Sequence, residues 1–324
     1  MKVAVLGAGT IVPDFLKAVD TVTGLEAYCI MGMPSDDEKM NLLAQKHNLE
    51  KIYHSIDEVL ADENVEVVYN ALPNHLHYAF TKKAIEAKKN CIVEKPFCSN
   101  YVQAKELIDL AKEYGVNVFE AISNQYMPNY KKTKELVQEV GDVKIVQLNY
   151  SQYSRRYDQF KAGITLPVFD PKKSGGALMD LNVYNIHYVL GLFGKPASIH
   201  YYANIEKGID TSGVLTMQYP TFQVVSVAAK DCKAPVSINV QGDKGYIHSD
   251  MPANVYGSFS YGLNSGEATE YSLNEGKERL YYELQEFSDA IHGNKEVFAI
   301  YDQHTLDVQE ILDEARRQVG VEVI

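Results

Sequence analysis

Three short stretches of this 324-residue sequence hold side chains whose type and spacing could do chemistry. In Glu94-Lys95-Pro96 a lysine closes an apolar run, and the following proline biases its backbone toward an extended, stiffly placed conformation. In the stretch 176–192, which has helical periodicity, Asp180, Tyr184 and His187 recur at i, i+4 and i+7. At 3.6 residues per turn they share one helix face, within about 60° of each other. Three ionisable groups on an otherwise apolar helix cost free energy unless they serve a purpose. The plain alternatives are a solvated lysine at a strand end and a hydrogen-bonded polar patch at a helix edge. The third stretch is Gly7-Ala8-Gly9-Thr10-Ile11-Val12, directly after the first apolar run. Its first glycine permits a tight turn, and its second lets a pyrophosphate approach the backbone at the positive end of a helix. The third position of such turns takes a small residue; here it is Val12.

These residues need elements to position them. Through residue 120, strand-like runs at 2–6, 25–31, 65–71, 90–94 and 117–120 alternate with helical patterns at 36–47, 76–88 and 101–114. Strand, helix, strand in repetition predicts a parallel sheet with right-handed crossovers, an α/β Rossmann domain over 1–120. Ser55, with Glu58 three residues on, has the form of a capping box. Beyond 120 a helical pattern at 129–140 gives way to Tyr- and Val-rich runs at 143–153, 198–203, 213–219, 223–229, 236–241 and 245–248. They predict an α+β domain over 121–324 with a large open, mainly antiparallel sheet. Two closing helical patterns, 277–292 and 302–318, leave the option that the C-terminal helix packs back on the first domain.

In an open parallel sheet, ligands bind beyond the carboxyl ends of the strands. The glycine turn, Pro73-Asn74-His75-Leu76-His77 and Lys95 all fall on that rim. Gly7, Gly9, Thr10, Ile11, Pro73, Asn74, His77, Glu94 and Lys95 are therefore the candidate cofactor-binding residues, and Lys95 points to where a nicotinamide would lie. A ribose-binding carboxylate is expected at the end of the second strand, near 30–34, but that segment holds no acid. Ser35, Asp36 and Asp37 follow slightly later, Lys39 is the nearest cation, and the lack of an arginine for a 2′-phosphate tilts the expectation from NADP to NAD.

With 31 Lys+Arg against 43 Asp+Glu, the net charge of −12 argues against nucleic-acid and anionic-membrane partners. No run of about 18 apolar residues suggests a membrane span. The four cysteines, Cys29, Cys91, Cys98 and Cys232, form no CxxC pair and are too sparse for a disulfide framework. No metal site is expected. The N-terminal run lacks a signal-peptide layout, so the expected compartment is the cytoplasm.

Taken together, Glu94-Lys95-Pro96 and Gly175-Gly176-Ala177-Leu178-Met179-Asp180 with Tyr184 resemble the glucose–fructose oxidoreductase/inositol dehydrogenase (Gfo/Idh/MocA) family. The similarity runs the length of the chain, through Asn74 and His77, Glu120-Ala121, Phe169-Asp170-Pro171 and Ala315-Arg316-Arg317. The resemblance implies an NAD(P)-dependent oxidoreductase of a sugar, polyol or cyclic diol, forming a homodimer or homotetramer through the second domain's sheet. It makes Lys95 and Asp180 catalytic and Tyr184 the acid/base group, as in the dihydrodiol dehydrogenase type, where the inositol dehydrogenase type has histidine. His187 becomes a substrate-positioning candidate. Asn124 stands where the family often carries an arginine. Tyr153 and Arg156 lie in the cluster Tyr150, Tyr153, Arg155, Arg156, Tyr157 and are candidates for substrate contact; an interface strand explains that cluster equally well. On this expectation Lys95 and the Asp180–Tyr184 face act on one nicotinamide. The alternative is a non-catalytic NAD(P)-binding sensor, for which a proton-transfer set has no use.

Overall fold

The computed structural model describes residues 1–293 and 296–324, with the side chains of 1–293 and 300–324. The chain divides into two compact units, 1–121 with 277–306, and 122–276 with 307–324.

The first unit is built on β1 (Lys2–Leu6), β2 (Glu26–Met31), β3 (Lys51–Tyr53), β4 (Val67–Asn70), β5 (Asn90–Glu94) and β6 (Val118–Ala121). They pair in the order β3-β2-β1-β4-β5-β6, every pair parallel. Helices α1 (Val12–Val19), α2 (Asp37–His47), α3 (Ile56–Ala61), α4 (His77–Glu86) and α5 (Tyr101–Tyr114) make the crossovers. Ser55 caps α3 through a complete capping box with Glu58. The strand order reverses between β1 and β4, the point at which parallel open sheets bind ligands. β3 is a three-residue edge strand, too short to announce itself by periodicity. Val12 is the first residue of α1 and is fully buried. The segment 277–306 returns to this unit rather than following the linear division at 120. Phe287 stacks on Phe119 of β6 at 4.5 Å between ring centroids, and Thr305 donates to the buried Glu120 carboxylate at 2.8 Å.

The second unit has α6 (Pro128–Leu136), α7 (Tyr157–Lys161) and α8 (Val183–Phe193) beside an eight-stranded sheet. Its strands are β7 (Val143–Ser151), β8 (Ser198–Glu206), β9 (Ile209–Gln218), β10 (Gln223–Ala229), β11 (Ser237–Gly242), β12 (Gly245–Ser249), β13 (Phe259–Leu263) and β14 (Thr269–Tyr271). The order is β14-β13-β12-β11-β7-β10-β9-β8. All pairs are antiparallel except β7 with β10. The long connection after β7 lets the chain re-enter the sheet at β8, so that β10 runs alongside β7 in the same direction. Val146, Leu148, Leu215, Val224, Ile238 and Val240 are buried on one sheet face. α9 (Tyr281–Gly293) and α10 (Glu296–Gln318) close the chain. No helix among the described residues is long and apolar enough to cross a membrane.

The sequence predicts one α-helix across 176–192, but residues Leu178–Asn182 form a π-helical turn that leads into α8. Hydrogen bonds in such a turn run i→i+5 and the rotation per residue is smaller, so 3.6-residue arithmetic fails across Asp180. The cause lies just upstream. A Cβ on Gly175 would sit 2.8 Å from the Pro167 carbonyl oxygen, and one on Gly176, at φ +107°, would sit 2.1 Å from Asp210 Oδ1. With no side chains there, the Asp210 carboxylate reaches the turn, accepting from the Leu178 N–H at 2.7 Å and from the Tyr201 hydroxyl at 2.9 Å.

Burial pushes the Asp210 carboxyl up from its ordinary 3.8 to about 6, against those two hydrogen bonds and the charge of Lys230. An acid whose folded pKa is raised favours the fold while it is protonated; that contribution is lost as pH climbs from about 4 through 6. A rise of that size is worth about 3 kcal/mol. Asp210→Asn should therefore gain in melting temperature relative to the parent as pH rises from 4 to 7; a difference that stays flat would refute the assignment.

Candidate active site

In the first unit, β1 runs into Gly7, whose φ of +97° and 3.0 Å approach of a notional Cβ to the Ala71 carbonyl oxygen leave room only for glycine. Beyond it lies a cavity of about 730 Å³ walled by Gly7, Ala8, Gly9, Met31–Met33, Asp36, Lys39, Pro73 and other residues of this unit. A glycine-walled cavity at a strand-to-helix turn, beside the reversal of strand order, fits a dinucleotide. Thr10 is exposed and Ile11 half-buried at the N-cap of α1. Asn74 opens a single 3₁₀ turn, Asn74–Leu76, capped by Pro73.

Two of the candidate cofactor-binding residues, His77 and Glu94, are buried and bonded within this unit. His77 is fully buried, its Nδ1 2.9 Å from the Pro96 carbonyl oxygen and its Nε2 2.8 Å from that of Leu72. The ring thus ties the loop after β4 to the loop carrying Lys95. Burial lowers its pKa, against the pull of the carbonyls. Glu94 is likewise buried and accepts the Tyr69 hydroxyl at 2.5 Å; burial raises its pKa, with that bond and the Lys95 charge opposing. Lys95 itself is half-buried and precedes Pro96 through a cis peptide. Glu120 fixes the same loop by accepting the Phe97 N–H at 3.1 Å. A carboxyl that the sequence does not single out, Glu283 of α9, is also buried here, its pKa driven well up by burial and by the charge of Glu94.

In the second unit, Asp180 sits on the π turn and Tyr184 in the first turn of α8. The Asp180 carboxylate is met by the ammonium of Lys230, the residue after β10. The sequence holds no hint of that pairing, since fifty positions separate the two. Lys230 also stands 5.3 Å above the Phe169 ring, which stacks with Phe160 at 4.8 Å, so Phe169-Asp170-Pro171 supplies an aromatic floor. Tyr184 is anchored through its backbone: buried Asn124 donates from Nδ2 to its carbonyl oxygen at 2.8 Å. Gln125 donates from Nε2 to the His187 carbonyl oxygen at 2.8 Å, so Asn124 and Gln125 together hold the start of α8. His187 is fully buried, not on a shared accessible face with Asp180. The Tyr184 ring lies 6.3 Å from that of Tyr150, and Tyr150 and Tyr153 line a cavity of about 700 Å³ with Lys233, Pro235, Asp250 and Pro252. Tyr153 donates to Asp158 at 2.7 Å. Arg156 is exposed at the N-cap of α7 and does not line that cavity, while Tyr157 is buried and bonded to Glu206. Buried Arg316 pairs with Asp313 at 2.8 Å, which places the Ala315-Arg316-Arg317 motif in the core of this unit.

Comparison with known proteins agrees with this anatomy. Residues 1–122 match the oxidoreductase family with an NAD-binding Rossmann fold, and residues 130–248 match the GFO/IDH/MocA C-terminal domain. The scyllo-inositol 2-dehydrogenase (NADP(+)) IolU of Bacillus subtilis is 30% identical over 99% of this chain and 98% of its own. The trans-1,2-dihydrobenzene-1,2-diol dehydrogenase of Xenopus tropicalis is 26% identical over 99% and 98%. Among solved structures, the aldose-aldose oxidoreductase of Caulobacter crescentus superposes with a TM-score of 0.85 at 18% identity, over 99% of this chain and 97% of that one. The chain belongs to the GFO/IDH/MocA oxidoreductase family.

Proposed function

We propose that this protein is an NAD(P)-dependent dehydrogenase or reductase acting on a secondary alcohol of a cyclic polyol, sugar or diol. The observation that carries the reading is Asp180 and Tyr184 on consecutive turns of the second unit, in a chain whose first unit holds a dinucleotide-sized cavity beneath a glycine turn. The bound nicotinamide supplies the hydride acceptor or donor. Tyr184 takes the hydroxyl proton in oxidation and returns it in reduction. A free phenol, with a pKa of about 10, is a poor base at neutral pH, so a nearby cation must favour the phenolate. Lys95 is given that role. Asp180 accepts a substrate hydroxyl and orients the ring. Acid–base assistance of this kind contributes about 10²–10⁴-fold. Lys95→Met should abolish turnover of polyols while fluorescence titration shows nucleotide affinity nearly unchanged; a variant retaining more than about a tenth of the parental rate would remove Lys95 from the mechanism.

NAD is the proposed preference. Asp36 lines the nucleotide cavity and suits ribose hydroxyls, whereas a 2′-phosphate would meet its negative charge. Lys39 lines the same wall and favours NADP, the cofactor named for the Bacillus relative, but its ammonium is already engaged by the Ala8 carbonyl. The expected kcat/KM for NAD exceeds that for NADP by about tenfold or more, with Asp36→Ser narrowing the gap. A parental preference for NADP contradicts this.

We assign the sheet of the second unit to self-association, as a homodimer or homotetramer. Tyr202, Val214 and Val227 stand in one cross-strand row, by register, on the face opposite the buried core, and Tyr202 is 62% exposed. Such a row invites a partner of the same kind. A cytoplasmic setting suits cysteines that are reduced thiols. Light scattering should give a dimer or tetramer that Tyr202→Glu dissociates; a monomeric parent would exclude the interface.

A further inference from the structure

Lys230 belongs to none of the motifs that drew attention to the sequence. Its backbone is held on both sides: its N–H donates to the Thr211 carbonyl at 2.8 Å, and its own carbonyl accepts the Ser154 N–H at 2.8 Å. Its ammonium meets Asp180 Oδ2 and stands 5.3 Å above the centroid of the buried Phe169 ring. The lysine side chain is 3% exposed and that of Asp180 32%. Removing an ammonium from water to that degree is costly unless an anion accompanies it, and the Asp180 carboxylate is that anion. The aromatic face adds to the cation's fixation. The exposures are unequal in a useful sense. The cation lies behind, locked by backbone, ring and counter-ion, and the carboxylate in front keeps a solvent-accessible part.

We propose that Lys230 is a positioning residue for polyol oxidation: it fixes the Asp180 carboxylate in one orientation, as an acceptor for a substrate hydroxyl. This rests on the function proposed above. With its charge compensated from behind, Asp180 recognises a hydroxyl without serving as the proton carrier, a role left to Tyr184. Lys230 acts only through Asp180, and both belong to the second unit.

The test is a set of variants assayed with scyllo-inositol and NAD or NADP. Losing the orientation of a charged hydrogen-bond acceptor should cost about ten- to a hundredfold in kcat/KM. Lys230→Met should show that loss mainly as a raised KM for scyllo-inositol, with the nucleotide KM within about twofold of the parent. Lys230→Arg, which preserves the charge, should recover most of it. In an Asp180→Asn background, Lys230→Met should cause no further loss, because the group it serves is already neutral. Both single variants leave one charge of the pair without its partner, so rates are compared per folded subunit, counted by fluorescence titration of nucleotide binding, and the double variant, which buries no unpaired charge, is the reference for folding. An unchanged KM in Lys230→Met, or a further loss in the double variant beyond Asp180→Asn, overturns the proposal while leaving the dehydrogenase reading intact. A parent enzyme that turns over no polyol with either nucleotide ends both.

Discussion

The second unit is organised around one buried carboxylate. Asp210 accepts an N–H from Leu178 and a hydroxyl from Tyr201, in space that a side chain on Gly176 would fill. A carboxylate in that position sets where the following turn begins. The turn widens to a π-helical form, and Asp180 emerges from it toward Lys230. Asn124 and Gln125 then take the carbonyls of Tyr184 and His187, fixing the start of α8 from the other side. The Gly-Gly-Ala-Leu-Met-Asp motif is in this sense a steric and electrostatic device for aiming Asp180, and only its last residue is a candidate to meet substrate.

The first unit follows the same economy, in that buried polar groups hold the loops after β4 and β5. His77 bridges the Leu72 and Pro96 carbonyls, Glu120 holds the Phe97 amide, and Glu94 is bonded to Tyr69. Each buried polar atom satisfied this way removes a penalty of about 1–3 kcal/mol and stiffens the loop that carries Lys95.

Much of this was legible in the sequence, for reasons that can be named. β1, β5, α5 and β10 have the bounds their periodicity predicts, because each is long enough to alternate or to repeat at helical spacing and ends at a residue that breaks the pattern. The glycine turn was readable from its place after the first strand. β3 and β14 were not, since three-residue edge strands carry too few residues for a period to show, and β13, an interior strand of five residues, was missed as well. The π turn escaped because Asp210, the partner that Gly176 admits, lies thirty positions downstream, and the i, i+4, i+7 reading assumed a uniform helix. His77 and Glu94 stood out by their place on the strand rim, but composition cannot foresee that both side chains are buried and bonded within the unit. Lys230 carries the same signal as Lys95, a lysine closing an apolar strand; only the fold distinguishes it by placing Asp180 against it.

The central claim is that the π turn and the first turn of α8 present one acid and one phenol to the same substrate. A crystal structure of the Tyr184→Phe variant with NAD or NADP and scyllo-inositol tests it most directly. The account predicts one ring hydroxyl within about 3 Å of the Asp180 carboxylate, still paired with Lys230, and a neighbouring hydroxyl over the edge of the residue-184 ring. A polyol bound elsewhere, or an Asp180 carboxylate turned away from both Lys230 and the ring, would contradict it.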